Sequence, residues 1–251
     1  MQLTKHVQQG RLLYFTKDED AISVSENDHY RWMAFGDVIQ SVMLKRVPWK
    51  LTLPHQHIVL FPLLFFRPKN IIELGLGGGN IGRYLTHLHD GISFTSIECS
   101  ADVIQCFHQH FNPDNTRINV IKNRAENWLE QQHDVDWLMC DVYQQQLVDF
   151  KHTLHLLESL MSSVSSETAL TINLPDASDQ EVNLCLTVLQ QLQSHHTVVY
   201  FHVPQYLNII IHVLPAHWQF ERLLKRSKSS YLPKSVFKRW RKCWQYKSQR
   251  S

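Results

Sequence analysis

The chain has 251 residues, enough for one large α/β domain or one domain with a small appendage, and 43% hydrophobic with 19% charged residues is ordinary for a soluble globular protein. No apolar stretch approaches the roughly 20 residues that cross a bilayer: the longest, Ile58 to Phe66, is interrupted by Pro62, and the opening MQLTKHVQQGR lacks the apolar core of a secretory signal. The net charge of +2 hides an asymmetry, because 11 Lys and Arg and no acid lie from Arg222 onward, leaving 14 basic against 23 acidic residues before it, a balance of −9.

Residues 1–53 read as a small N-terminal β-hairpin domain. Short β-branched or aromatic segments at 11–16, 21–26, 29–35 and 38–46 are separated by Asp18-Glu19-Asp20, Glu26-Asn27-Asp28 and Gly36-Asp37. Pro54 opens a predicted helix through Phe66, and Pro68 closes it. From Lys69 the pattern alternates: strand 69–74, helix 80–89, strand 92–98, helix 101–111, strand 117–121, helix 124–132, strand 135–140, a helix near 149–162, strand 168–174, and a helix near 179–193. Two apolar runs, 197–203 and 207–214, follow with only a short break at Pro204. Five β-α repeats imply a parallel sheet with helices on both faces, and the two directly joined strands imply an antiparallel hairpin at one edge. This α/β domain spans 54–218, and 219–251 form a basic, aromatic tail.

Five of the eight glycines fall in one window, Gly75, Gly77, Gly78, Gly79 and Gly82, inside IIELGLGGGNIGRYL. The apolar run Asn70–Leu74 precedes them, and Ile81, Tyr84, Leu85 and Leu88 follow at helical spacing. Strand, glycine turn and helix in that order is the context in which such a loop binds a nucleotide. A second strand then ends in Glu98, about 20 residues on, where nucleotide folds place a carboxylate on ribose hydroxyls. The plainer alternative is a tight turn, with Glu98 capping the next helix.

These segments resemble the spermidine synthase-like family of S-adenosylmethionine-dependent transferases, across roughly residues 10–215. IIELGLGGGNIGRYL is similar to its glycine loop, FTSIECSADVIQCFHQHF to its second strand, acid and helix, INVIKNRAENWL to the segment passing the adenine, and DVDWLMCDVYQ to its fourth strand. The N-terminal β unit, with Val38-Ile39-Gln40, resembles the family's small first domain. The resemblance implies a Rossmann-like, seven-stranded methyltransferase-type sheet with a C-terminal antiparallel hairpin. It implies S-adenosylmethionine or its decarboxylated form as donor substrate, no metal, and an alkyl transfer, methyl or aminopropyl, to a small-molecule amine or other acceptor.

By that resemblance Glu98 holds the ribose, and Gly75, Gly77 and Gly79 border the sulfonium. Glu73, Cys99, Asn123, Arg124 and Ala125 complete the nucleotide site. Asp141 lies at the acceptor or the methionine part, and Tyr143 closes the site. Alkyl transfer from a sulfonium needs in-line placement and a deprotonated nucleophile, and a strand-end carboxylate can attract an ammonium and take its proton. Gln40, His57 and Gln144 line the acceptor pocket. Three departures weaken the polyamine reading. Gln144 stands where the family has a second acid, Asn123-Arg124 replace Gly-Asp, and Pro54-His55-Gln56-His57 replace a tyrosine-histidine-glutamate pattern.

The remaining candidates are weaker. Histidine pairs at 55/57, 87/89, 108/110 and 195/196 include no H-E-x-x-H, and an i,i+2 pair shares a face only on a strand. Five widely spaced cysteines without C-x-x-C point to reduced thiols in a cytoplasmic protein. In the tail, residues 236/237, 240 and 244 share a helical face among Lys and Arg. Its own acidic body, nucleic acid and an anionic membrane all stay open as its partner. Proteins resembling this one are commonly dimers, so a homodimer is an expectation. The competing function class is a non-catalytic binding or scaffold protein that keeps the fold and holds a partner with the tail.

Overall fold

The computed structural model describes residues 10–17, 21–131, 134–142, 150–192, 194–204 and 206–218. The expectations placed on Tyr143, Gln144 and the tail 219–251 lie outside them. The chain divides into two compact units, one made of Met1–Leu53, Ile71–Gln131 and Asp141–Val148, the other of Pro54–Asn70, Gln132–Cys140 and Asp149–Ser251.

In the first unit, β1 (Arg11–Phe15), β2 (Ile22–Glu26), β3 (Tyr30–Phe35) and β4 (Val38–Leu44) form an antiparallel sheet in that order. Alternation along β2 buries Ile22, Val24 and Glu26 on one face. Trp32, Val42 and Leu53 make a small core, with Tyr30 and Ile39 packed against it. Glu26 is the polar hub: its carboxylate meets Arg11 at 2.9 Å, Arg31 at 2.5 Å and Lys45 at 3.2 Å. Burial alone would raise its pKa, but the hydrogen bonds from Arg31, Lys45 and Arg11 hold it down at about 2.

The larger sheet has seven strands, β5 (Asn70–Leu74), β6 (Ser93–Glu98), β7 (Ile118–Lys122), β8 (Trp137–Cys140), β9 (Ala169–Leu174), β10 (His196–His202) and β11 (Ile209–Pro215), in the order β10-β11-β9-β8-β5-β6-β7. β6 pairs with β7, and β8 with β9, in parallel, whereas β11 runs antiparallel to both β9 and β10. The seven-stranded α/β sheet, its closing hairpin and the small antiparallel sheet ahead of it are as the sequence led one to expect. Every residue of β8 and β11 is buried, which is why these strands read as apolar runs, broken in β11 by His212, rather than as alternations.

Helices depart from expectation where the backbone chemistry forbids them. The predicted helix 54–66 is instead a short helix, Pro54–Val59, and a 3₁₀ turn, Phe61–Leu64. Pro62 has no N–H to give, and its ring would clash with the carbonyl four residues back. The predicted helix 101–111 is α-helical over Ala101–Cys106, then widens into a π turn at Phe107–Phe111. Ser100 starts it by accepting the Val103 N–H at 3.2 Å. The last β-α helix, Asp179–Leu189, begins with a reciprocal cap between Ser178 and Glu181.

A polar line crosses the second unit's part of the sheet. Trp137 Nε1 donates to Thr171 Oγ1 at 2.9 Å, and Thr171 Oγ1 is hydrogen-bonded to His212 Nδ1 at 2.9 Å. His212 is fully buried, beside the rings of Phe61 and Phe201. Desolvation drives its pKa from 6.5 down to about 3, so the folded imidazole is neutral. The unfolded chain protonates below pH 6.5 and the folded one does not until about 3, so stability is intact above 6.5 and lost as pH falls across that interval. The slope of about 1.4 kcal/mol per pH unit makes the loss about 2 kcal/mol by pH 5. Urea unfolding at pH 7.5 and 5, wild type against His212→Gln, is expected to show this difference between the two proteins; equal pH losses would refute it.

Candidate nucleotide site on the glycine loop

The site lies wholly in the first unit, at the C-terminal ends of neighbouring strands. Glycine makes the loop because most of its positions leave no room for a Cβ and three of them have positive φ. Gly75 has φ +95°, and a Cβ there would fall on the Asp141 carbonyl oxygen. Gly79, left-handed at φ 63°, is the N-cap of the Asn80–Leu88 helix, and its Cα lies against the Phe107 ring. Gly78 packs on the Ser41 hydroxyl of β4, and Gly82 on Phe94 and Ile118. The loop is therefore pressed from several sides, and its glycines serve close packing as well as ligand access.

Backbone bonds fix the loop between its neighbours. Gly75 N donates to Ile97 O at 2.8 Å, Asp141 N to Leu74 O at 2.9 Å, and Gly79 N to Leu76 O at 2.8 Å. Glu98, at the end of β6, is half-buried and already ordered: Oε2 accepts the Leu76 N–H at 3.1 Å and Oε1 the Ser100 N–H at 2.8 Å. A carboxylate oxygen has room for a second donor. Glu98 O also accepts the Asn123 N–H at 3.0 Å, which brings the segment after β7 to the same edge. Asn123 Oδ1 accepts the Arg124 N–H at 2.9 Å. Arg124 is exposed, 3.6 Å from Glu126, and Ala125 is buried.

Glu73, Glu98 and Asp141 thus sit on or just past β5, β6 and β8, and they are not equivalent. Glu73 is buried and accepts the Ser96 hydroxyl at 2.9 Å. Burial, reinforced by the charges of Asp141 and Glu98, raises its pKa to about 8, against the pull of Ser96 and Arg83. At neutral pH it is a carboxylic acid. Cys99 is exposed, and burial of its thiol together with the Glu98 charge raises its pKa, so it is a thiol and not a thiolate. The other cysteines among the described residues, at 106, 140 and 185, are buried.

The acceptor-side candidates are dispersed. Gln40 is half-buried on β4, and among the described residues its Nε2 finds no hydrogen-bond partner. His57 lies on the Pro54–Val59 helix, in the other unit. Among the described residues no cluster of three His, Cys, Asp or Glu is placed to hold a metal ion, and no helix is long and apolar enough to cross a membrane. Sequence reasoning missed Ser96, which holds Glu73, and the pair Asn80 and Arg83 beneath the loop. Nothing in a linear string marks Ser96. Asn80 and Arg83 are three apart on one helix face, which is the sole hint.

Neither family models nor curated protein sequences give a match. Solved structures do. A probable spermidine synthase from Corynebacterium glutamicum aligns with TM-score 0.68 and 15% identity over 81% of this chain and 79% of its own. A spermidine synthase in complex with the transition-state analogue AdoDATO aligns with TM-score 0.66 and 14% identity over 90% and 83%. Human methyltransferase-like protein 13 in complex with SAH aligns with TM-score 0.51 and 16% identity over 73% and 96%. The chain has the fold shared by spermidine synthases and class I S-adenosylmethionine-dependent methyltransferases.

Proposed function

We propose that this protein is an alkyltransferase that binds S-adenosylmethionine or its decarboxylated form at the glycine loop and passes a methyl or aminopropyl group to an acceptor that has a lone pair. The observation that carries the proposal is Glu98. Its carboxylate is fixed by two backbone N–H groups beside a glycine turn, and each oxygen keeps capacity for a ribose hydroxyl. Asn123, its Oδ1 engaged by Arg124, offers its Nδ2 to an adenine ring nitrogen. The absence of a Cβ at Gly75 lets the loop lie directly against the Asp141 backbone.

The acceptor's lone pair attacks the carbon on the sulfonium, the C–S bond breaks, and the neutral thioether leaves. The proton lost by the acceptor passes to the Asp141 carboxylate. A site with Glu98 and Asp141 charged, and Glu73 neutral, favours a cationic sulfonium and a basic amine. Of the solved neighbours of this fold, a spermidine synthase carries the transition-state analogue AdoDATO and a methyltransferase-like protein carries SAH.

Calorimetric titration of the purified chain with S-adenosylmethionine, its decarboxylated form and methylthioadenosine tests this. Glu98→Ala is expected to weaken binding about 100-fold or more, because it removes charge-assisted hydrogen bonds and frees the loop at Leu76. The preferred ligand separates methyl from aminopropyl transfer. Absence of binding by the wild type would overturn the proposal.

A further inference from the structure

We propose that Arg83 is a positioning residue that holds the glycine loop in its ligand-binding shape by clasping it to the backbone at Pro48 and Phe111 and, through Asn80, to β4; the ligand part of this rests on the nucleotide function proposed for that loop. Arg83 is 1% exposed. Its guanidinium donates to the Gly78 carbonyl, to Phe111 O at 2.7 Å, to Asn80 Oδ1 at 2.6 Å, and through Nε to Pro48 O at 3.0 Å. All four acceptors are neutral oxygens. Burial lowers its pKa to about 9, which still leaves it cationic at neutral pH. Desolvating a cation is costly, and an apolar side chain of the same length would fill the space without that cost. What the guanidinium adds is direction: a planar fork that three separate chain segments, at 48, 78–80 and 111, must meet.

The peptide joining Gly78 to Gly79 shows where that direction acts. Its carbonyl accepts from Arg83, and its N–H donates to Leu76 O at 2.8 Å. A planar peptide held at both ends cannot rotate, so the loop's turn is set from below. Asn80 extends the grip. Its Nδ2 donates to Val42 O at 2.9 Å, and its Oδ1 accepts from Ser41 Oγ at 3.1 Å as well as from Arg83. Ser41 is also the residue on which Gly78 packs. The last strand of the small sheet is therefore built into the loop rather than merely adjacent to it, and the Asn80 side chain is spent on this clasp.

The test uses full-length Arg83→Met and two readouts. The first is hydrogen–deuterium exchange of residues 75–82 without ligand. The second is methylthioadenosine affinity with and without millimolar guanidinium chloride. The clasp predicts faster exchange in the loop with no change in the β10–β11 hairpin. It also predicts affinity lowered about tenfold or more, as for hydrogen bonds to a charged group, with partial recovery on adding guanidinium. A folded Arg83→Met with unchanged loop exchange overturns it. If the wild type binds no adenosyl nucleoside but the variant's loop loosens, the clasp stands and the proposed function falls. If the wild type binds and the variant matches it in both readouts, the reverse holds. Should Arg83→Met not fold, Arg83→Lys, which keeps the charge and loses the fork, carries the same two readouts.

Discussion

Asp141→Asn is expected to lower transfer about 10²- to 10⁴-fold, the usual range for loss of a positioned general base, with little change in nucleotide affinity. The side chain is exposed at the end of β8, while its backbone is held by the N–H to Leu74 and by packing on Gly75. Asparagine keeps those backbone contacts and removes both the charge and the proton acceptor. The measurement is single-turnover transfer from a labelled donor to the acceptor that the wild type uses. It is paired with calorimetry of the nucleoside, so that chemistry and binding are read separately. Loss of affinity in parallel with rate would place Asp141 in ligand binding instead. An unchanged rate would remove it from the chemistry.

Gly75→Ala is expected to be the most damaging small substitution in the loop. At φ +95° an L-residue is strained by about 1–2 kcal/mol, and the new methyl meets the Asp141 carbonyl, a backbone atom that cannot swing aside. Overpacking of that kind adds about 1–3 kcal/mol. A total near 3 kcal/mol corresponds to a melting temperature lower by about 10 °C for a chain of this size. Gly77→Ala is the control. Its φ is also positive, at 49°, but a Cβ there meets nothing within 4 Å, so only the conformational cost of about 1 kcal/mol is expected. Thermal melts of the two variants isolate the contact with Asp141, and equal shifts would show that the contact costs nothing.

The strand-and-helix order was legible because β8 and β11 are buried on both faces and announce themselves as apolar runs, with His212 alone interrupting β11. The glycine loop and Glu98 were legible because a nucleotide fold needs those residue types at that spacing. Helix interiors were harder: Pro62 cuts one predicted helix short and is visible as a breaker, whereas the π turn that completes the predicted helix 101–111 has no marker in the string. Arg83 was illegible for a different reason. A cation three residues into an amphipathic helix looks solvated, and its burial depends on carbonyls from positions 48, 78 and 111 that only the fold assembles. The same holds for the neutral state of Glu73, which depends on Ser96, Asp141 and Glu98 converging from other segments.

The hydrogen-bonded row of Trp137, Thr171 and His212 has a bearing on assembly of the sheet. β8 is wholly apolar, and β9 and β11 are apolar apart from Thr171, Asn173 and His212, so many mutual alignments would bury comparable oil and hydrophobicity alone is a poor ruler among them. His212 pairs with Thr171 across β11 and β9, and a slide of either strand by one residue would turn the partner to the opposite face. Each misaligned arrangement would strand an indole N–H, a hydroxyl and an imidazole in a dry interior, at about 1–3 kcal/mol apiece. Three polar atoms therefore act as alignment pins in a largely apolar stack of strands.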